Sequence, residues 1–196
     1  MNNGCVSAVV MKNATFKPAL FLLILINVGC ASLPDNTQRE YSFSITAAST
    51  APVSKLAIDN IPAEEKESAF IMLSDGIDAF VARMALASIA ETSIDAQYYI
   101  WHDDLTGNLL INELIHAAEK GVRVRLLVDD INLSSANDKA LESIANHPNI
   151  SVRVFNPFSR NAFKMGQMLT RFGDVTRRMH NKSFVIDAIL HGIIAE

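Results

Sequence analysis

Cysteine is scarce in this chain. Only Cys5 and Cys30 occur in 196 residues, and both precede the region where periodic apolar patterning begins. A disulfide framework for the folded body is therefore excluded. Acidic residues are missing from the start: none occurs before Asp35. Positive charge is not in excess either. The formal net charge of −4 offers no global attraction to nucleic acid. The apolar run from Ala19 to Val28 is about half the ~20 residues that a membrane-spanning helix needs. No internal repeat or low-complexity tract is present. What remains is a chain with 49% apolar residues, ample for one packed domain with appendages.

The amino terminus reads as an export signal. Lys12 and Lys17 precede the apolar run, and its length suits a signal-peptide core. Met11 is a second possible start. Val28-Gly29-Cys30-Ala31-Ser32 follows, with small residues around a cysteine, as in a bacterial lipobox. Residues 1–29 are thus expected to leave, and Cys30 to become a lipidated amino terminus on an exported, membrane-anchored lipoprotein of a bacterial envelope. A plain secretory signal or a short anchor is the other reading. Cleavage would remove two lysines and no acid, taking the formal charge from −4 to −6. Such a body gains nothing from bulk attraction to anionic lipid, so a lipid tether would hold it at the membrane.

Residues 30–68 are weakly patterned and carry Pro34, Pro52 and Pro62, which suits a linker. Residues 69–196 are expected to form the folded domain. Ile77, Phe80, Val81 and Met84 recur at helical spacing and predict a helix over 75–92. Strands are expected over 93–101, 122–129, 150–155 and 182–187. Helices are expected from a Thr106 cap to about Lys120, closed by Gly121, then over 136–145 and 161–171. Alternation of strand and helix predicts an α/β fold with a mostly parallel sheet flanked by helices.

The chemistry concentrates in His180-Asn181-Lys182-Ser183-Phe184-Val185-Ile186-Asp187. Residues two apart on a strand share a face, so His180 and Lys182 aim together. Asp187 lies an odd number of residues from both, which suits a brace on backbone or a neighbouring side chain. A neutral imidazole can attack phosphorus and split one displacement into two easier ones. A lysine can neutralise the charge that develops on the phosphoryl oxygens. A second acid must protonate the leaving alcohol. Neither a metal nor another cofactor is required. His102, Asp103 and Asp104 are too closely spaced for joint metal ligation and read as a polar loop. Asp129 and Asp130 read as loop caps. Arg171, Arg177 and Arg178 could attract a phosphate or form a solvated basic face. Tyr98, Tyr99 and Trp101 read as core or cleft wall. His191 reads as incidental to the tail.

His180, Lys182 and Asp187 together resemble the HKD motif of the phospholipase D superfamily. Gln97–Gly107, Gly121–Asp130, Phe155–Phe158 and Arg177–Phe184 resemble blocks in the N-terminal half of bacterial cardiolipin-synthase-like lipoproteins. The resemblance implies a phosphatidyltransferase or phospholipase acting on membrane phospholipids through a phosphohistidine. His180, Lys182 and Asp187 would be its catalytic set. It also implies a second motif whose histidine serves as acid and base, and this chain has one motif. A homodimer or a missing second half would supply the other. The residues after Asp187 lack the glycine-rich turn of the family, and a C-terminal truncation or frameshift is expected there. Two further readings stay open: an inactive remnant and a phospholipase D-like nuclease, although no nucleic acid partner is expected.

Overall fold

A computed structural model describes residues 33, 36–38, 41–45, 52, 53, 55, 70–161, 163–188 and 190–193. The expected export signal, Cys30 and most of the 30–68 linker lie outside these residues.

Helix α1 (Gly76–Ile89) starts where the Asp75 carboxylate accepts the amides of Ile77 and Asp78. Strand β1 (Ser93–Tyr98) follows. Helix α2 (Leu105–Glu119) is capped by Asp104 rather than Thr106. The Asp104 carboxylate accepts the Gly107 amide at 2.8 Å and the Thr106 hydroxyl at 2.7 Å, so the threonine braces the cap from inside the first turn. At Gly107 a Cβ would sit 2.2 Å from the His102 carbonyl oxygen. Glycine is what lets the start of α2 lie on the loop leaving β1. The helix ends in a Schellman turn. Gly121 adopts φ 95° and donates to Ala118, while Val122 donates to Ala117.

Strand β2 (Arg123–Asp129), helix α3 (Ser135–Ala145) and strand β3 (Ile150–Phe155) complete two crossovers. Ser134 and Asn137 form a reciprocal capping box at the start of α3. Two short helices then take the place of the single one expected: α4 (Lys164–Thr170) and α5 (Phe172–Val175). Gly173 lies inside α5. Strand β4 (Ser183–Ile186) and a strand the sequence did not suggest, β5 (Leu190–Ile193), finish the chain of elements.

The sheet has the order β3-β2-β1-β4-β5. β1 pairs parallel with β2, and β2 with β3. β4 pairs antiparallel with both β1 and β5. The reversal at β4 has a length argument behind it. A six-residue strand spans about 20 Å, whereas helices of seven and four residues rise only about 10 and 6 Å. The chain therefore stays at the end of the sheet where β3 finishes. β4 enters from that end and runs against β1.

Alternation divides the sheet into two faces. Ile94, Ala96, Val124, Leu126, Val128, Ile150, Phe184 and Ile186 are buried in one core with Ala87, Leu110, Leu114, Ala117, Leu141 and Ile144 of the first three helices. Val53 is buried in the same core. The opposite face carries Asp95, Gln97, Arg123, Arg125, Leu127, Ser151 and Arg153, partly exposed or exposed. Asp95 and Arg125 pair there through two hydrogen bonds. The guanidinium groups of Arg125 and Arg123 also hold the Ser42 hydroxyl at 3.1 Å and the Phe43 carbonyl at 2.8 Å.

Candidate active site at the carboxyl end of the sheet

The carboxyl ends of β1, β2 and β3 and the beginning of β4 lie at one end of the sheet, where α/β folds open their clefts. His180 and Lys182 occupy the extended segment just before β4. Their side chains point together: Lys182 Nζ lies 3.4 Å from His180 Nε2. An ammonium can donate but not accept. The contact therefore fits a neutral ring with its proton on Nδ1 and a lone pair on Nε2. Tyr99 supplies the wall. Extending the β1–β4 register places it opposite Asn181, between the two site residues. Its ring meets the imidazole edge-on at 4.5 Å between centroids, and Lys182 Nζ is 5.7 Å from the Tyr99 centroid. His180 itself is exposed to solvent.

The backbone leading into His180 is fixed from β2. Asp129, at the carboxyl end of that strand, accepts the Met179 amide at 2.8 Å and the Arg178 Nη1 at 3.0 Å. It also caps its own loop through the Ile131 amide. Arg178 donates on to the carbonyls of Val175 and Asn156 and stacks over Phe158. This arginine is consumed by a buried clip and does not join a solvated basic face. Asn156, in the left-handed region at φ 47°, donates through Nδ2 to the carbonyls of Asp174 and Arg177. Asp130 accepts the Phe158 amide and grips Arg160 through both oxygens, and Arg160 also grips Asp138. The two aspartates thus do more than cap: they dock the 156–179 segment onto the sheet. Asn156 and Arg160 were not singled out from sequence. The one available signal was an asparagine before a proline at a strand end.

Asp187 does not join His180 and Lys182. It lies beyond the other end of β4, about 20 Å along the chain from His180. Its buried carboxylate accepts four hydrogen bonds: from the Glu91 amide at 3.1 Å, the Thr92 amide at 2.8 Å, the Thr92 hydroxyl at 2.7 Å and the Ser93 amide at 2.9 Å. Its own amide donates to the Ser93 carbonyl. Burial works to raise its pKa, but the hydrogen bonds from Ser93, Thr92 and Glu91 prevail and hold it below the usual carboxylate value.

Among the described residues no group of three His, Cys, Asp or Glu side chains is arranged to hold a metal. Asp104 is the α2 cap and Asp103 accepts from Asn108. Tyr98 and Trp101 pack edge-to-face at 4.9 Å and line an open cavity of about 280 Å³ with Phe80, Arg83 and Thr106. Burial pushes the Tyr98 hydroxyl up to about 12, against the pull of Arg83. This cavity sits between α1 and the start of α2, and His180 does not line it.

Residues 84–192 match the family model described as cardiolipin synthase, PLD-like domain. The chain belongs to this family. All four sequence blocks and the whole His180–Asp187 motif fall within the PLD-like match. Over 118 residues the chain is 48% identical to cardiolipin synthase C of Escherichia coli (strain K12), covering 60% of this chain and 25% of that protein. Over 171 residues it is 34% identical to an uncharacterized protein of Helicobacter pylori (strain ATCC 700392 / 26695), covering 86% of this chain and 34% of that one. Among solved structures, the phospholipase D family member Nuc from Salmonella typhimurium is 23% identical, with TM-score 0.37, over 55% of this chain and 56% of that one. The chain spans between a quarter and about a third of the length of these two sequence relatives.

Proposed function

We propose that this PLD-like domain carries half of a site for phosphatidyl transfer or phospholipid hydrolysis, with His180 as nucleophile. The observation that carries the reading is the apposition of Lys182 Nζ and His180 Nε2 at 3.4 Å, at the carboxyl end of the sheet. His180 Nε2 attacks the phosphorus of a phospholipid and the bond to the leaving alcohol breaks. Lys182 balances charge on the non-bridging oxygens. A second imidazolium gives its proton to the leaving oxygen. The same group then takes a proton from an acceptor alcohol or water, whose oxygen attacks phosphorus and releases His180. Water yields phosphatidic acid, and a phosphatidylglycerol headgroup yields cardiolipin. The second imidazole is assigned to another His180, from a paired chain, or to a second motif.

Support for phospholipid over other phosphodiesters comes from the relative named cardiolipin synthase C and from the amino-terminal signature of a lipoprotein. The anchor at Cys30 and location in a bacterial envelope belong to the same proposal. The full chain incubated with phosphatidylglycerol vesicles should form phosphatidic acid or cardiolipin, and His180→Asn should abolish it. Acid-labile, alkali-stable phosphorus on the wild-type protein should identify the phosphohistidine. Turnover that survives His180→Asn would remove His180 as nucleophile. Cleavage of DNA in place of lipid would assign the chain to the nuclease reading, and no turnover of either would assign it to the inactive one.

A further inference from the structure

Helix α4 is inverted. Its buried residue is Gln167, 1% exposed, which accepts the Ser159 amide at 2.7 Å and donates back to the Ser159 carbonyl at 2.9 Å. Its outer surface carries Met165, Met168 and Leu169, flanked by Phe163 and Phe172; Leu169 is 83% exposed and Phe163 is 78% exposed. Five large apolar side chains within ten residues face outward while an amide is spent inward. The charge around them is equally lopsided. Residues 156–182 hold six of the 17 Lys and Arg of the chain and one of its 21 acids, Asp174. Arg160 and Arg178 are neutralised by Asp130, Asp138 and Asp129. Arg171 and Arg177 remain at the two ends of α5. The Asn156 bonds to the carbonyls of Asp174 and Arg177 tie this surface to the segment that enters His180.

We propose that the α4–α5 surface inserts into an anionic phospholipid bilayer and brings His180 to it. An apolar patch with a cationic rim suits the boundary between acyl chains and acidic headgroups. A second copy fits less well, because two such faces meeting across a two-fold axis would oppose their own arginines. A nucleic acid duplex offers nothing apolar to cover Leu169. The proposal rests on the phospholipid reading of the His180 site and gives that site its route to substrate.

The test uses the full chain with Cys5→Ser and Cys30→Ser, and an environment-sensitive fluorophore on Leu169→Cys or, as control, on Lys139→Cys in α3. Vesicles of phosphatidylcholine with phosphatidylglycerol should shift the label at position 169 to the blue and expose it to quenching by nitroxide lipids. The label at 139 should not respond, which separates insertion here from anchoring by the amino terminus. Arg171→Gln with Arg177→Gln should weaken the response roughly 30-fold in vesicle concentration. His180→Asn should retain it, so that a failed catalytic reading and a failed docking reading are told apart. No response at 169, a response equal at 139, or a response to an oligonucleotide duplex in place of vesicles would overturn the proposal. So would a label already shielded before vesicles are added, which would give the patch to another part of the chain or to a second copy.

Discussion

Asp187 shows how one carboxylate can brace a fold without meeting His180 or Lys182. It satisfies three backbone amides and a hydroxyl at the α1–β1 junction, all from one buried position. Removing it orphans several donors at once. Asp187→Ala is expected to cost about 3 kcal/mol, read as a shift of the denaturation midpoint at pH 7. Its pKa is held below the unfolded value of 3.8. The sign follows: the stabilising contribution is complete above that value and is lost as pH falls through the lower, folded pKa. Wild type should therefore lose more stability than Asp187→Ala between pH 5 and about pH 2; parallel acid-unfolding curves would contradict this. The next residue carries a separate strain. Ala188 sits at φ 58°, a left-handed conformation that costs a non-glycine residue about 1–2 kcal/mol. Ala188→Gly should raise unfolding stability by about 1 kcal/mol, measurable by urea titration.

At the level of elements, the clearest dependence is between α2 and the loop that leaves β1. Gly107→Ala would drive a methyl carbon into the His102 carbonyl, and backbone cannot yield as a flexible side chain can. The first turn of α2 should shift or fray, at a cost of about 2 kcal/mol, with faster hydrogen exchange at Gly107 and Asn108 as the local readout. Exchange no faster than in wild type would show that the loop absorbs the methyl. Much of this architecture was legible in the chain. Three strands with two intervening helices follow from apolar alternation and from Gly121, because periodicity and left-handed glycine are local signals. The direction of β4 was not legible, since it depends on how far α4 and α5 can carry the chain. The inversion of α4 was hidden for a related reason. Met165, Met168 and Leu169 look like a core-facing stripe, and only the Gln167–Ser159 pairing shows that this stripe faces out.

For the whole molecule, the candidate site is assembled from pieces far apart in sequence. Motif spacing brought His180 and Lys182 together on paper. It could not reveal Tyr99 between them or Asp129 fixing Met179, because those contacts cross strands. If two chains complete one site, both must bring an intact His180. Mixing freely exchanging wild-type and His180→Asn chains in equal amounts should then leave about one quarter of the pairs competent, rather than one half. Specific activity against mixing ratio distinguishes the two curves. A straight line would show that each chain works alone. The sheet face bearing Asp95, Arg123, Arg125 and Arg153 receives Ser42 and Phe43 among the described residues, and the curated relatives run three to four times longer than the matched region.

The separation of Asp187 from His180 has a genetic consequence. Lesions at the two ends of one eight-residue motif should behave as different kinds of allele. Under the proposed function, a His180 lesion would leave a normal quantity of well-folded, inert chain. Where chains pair, that product occupies wild-type partners and acts dominantly. An Asp187 lesion lowers the folded population, the product is cleared by proteolysis, and the wild-type copy works undisturbed. The motif that reads as one unit in sequence would then split into a dominant half and a recessive half.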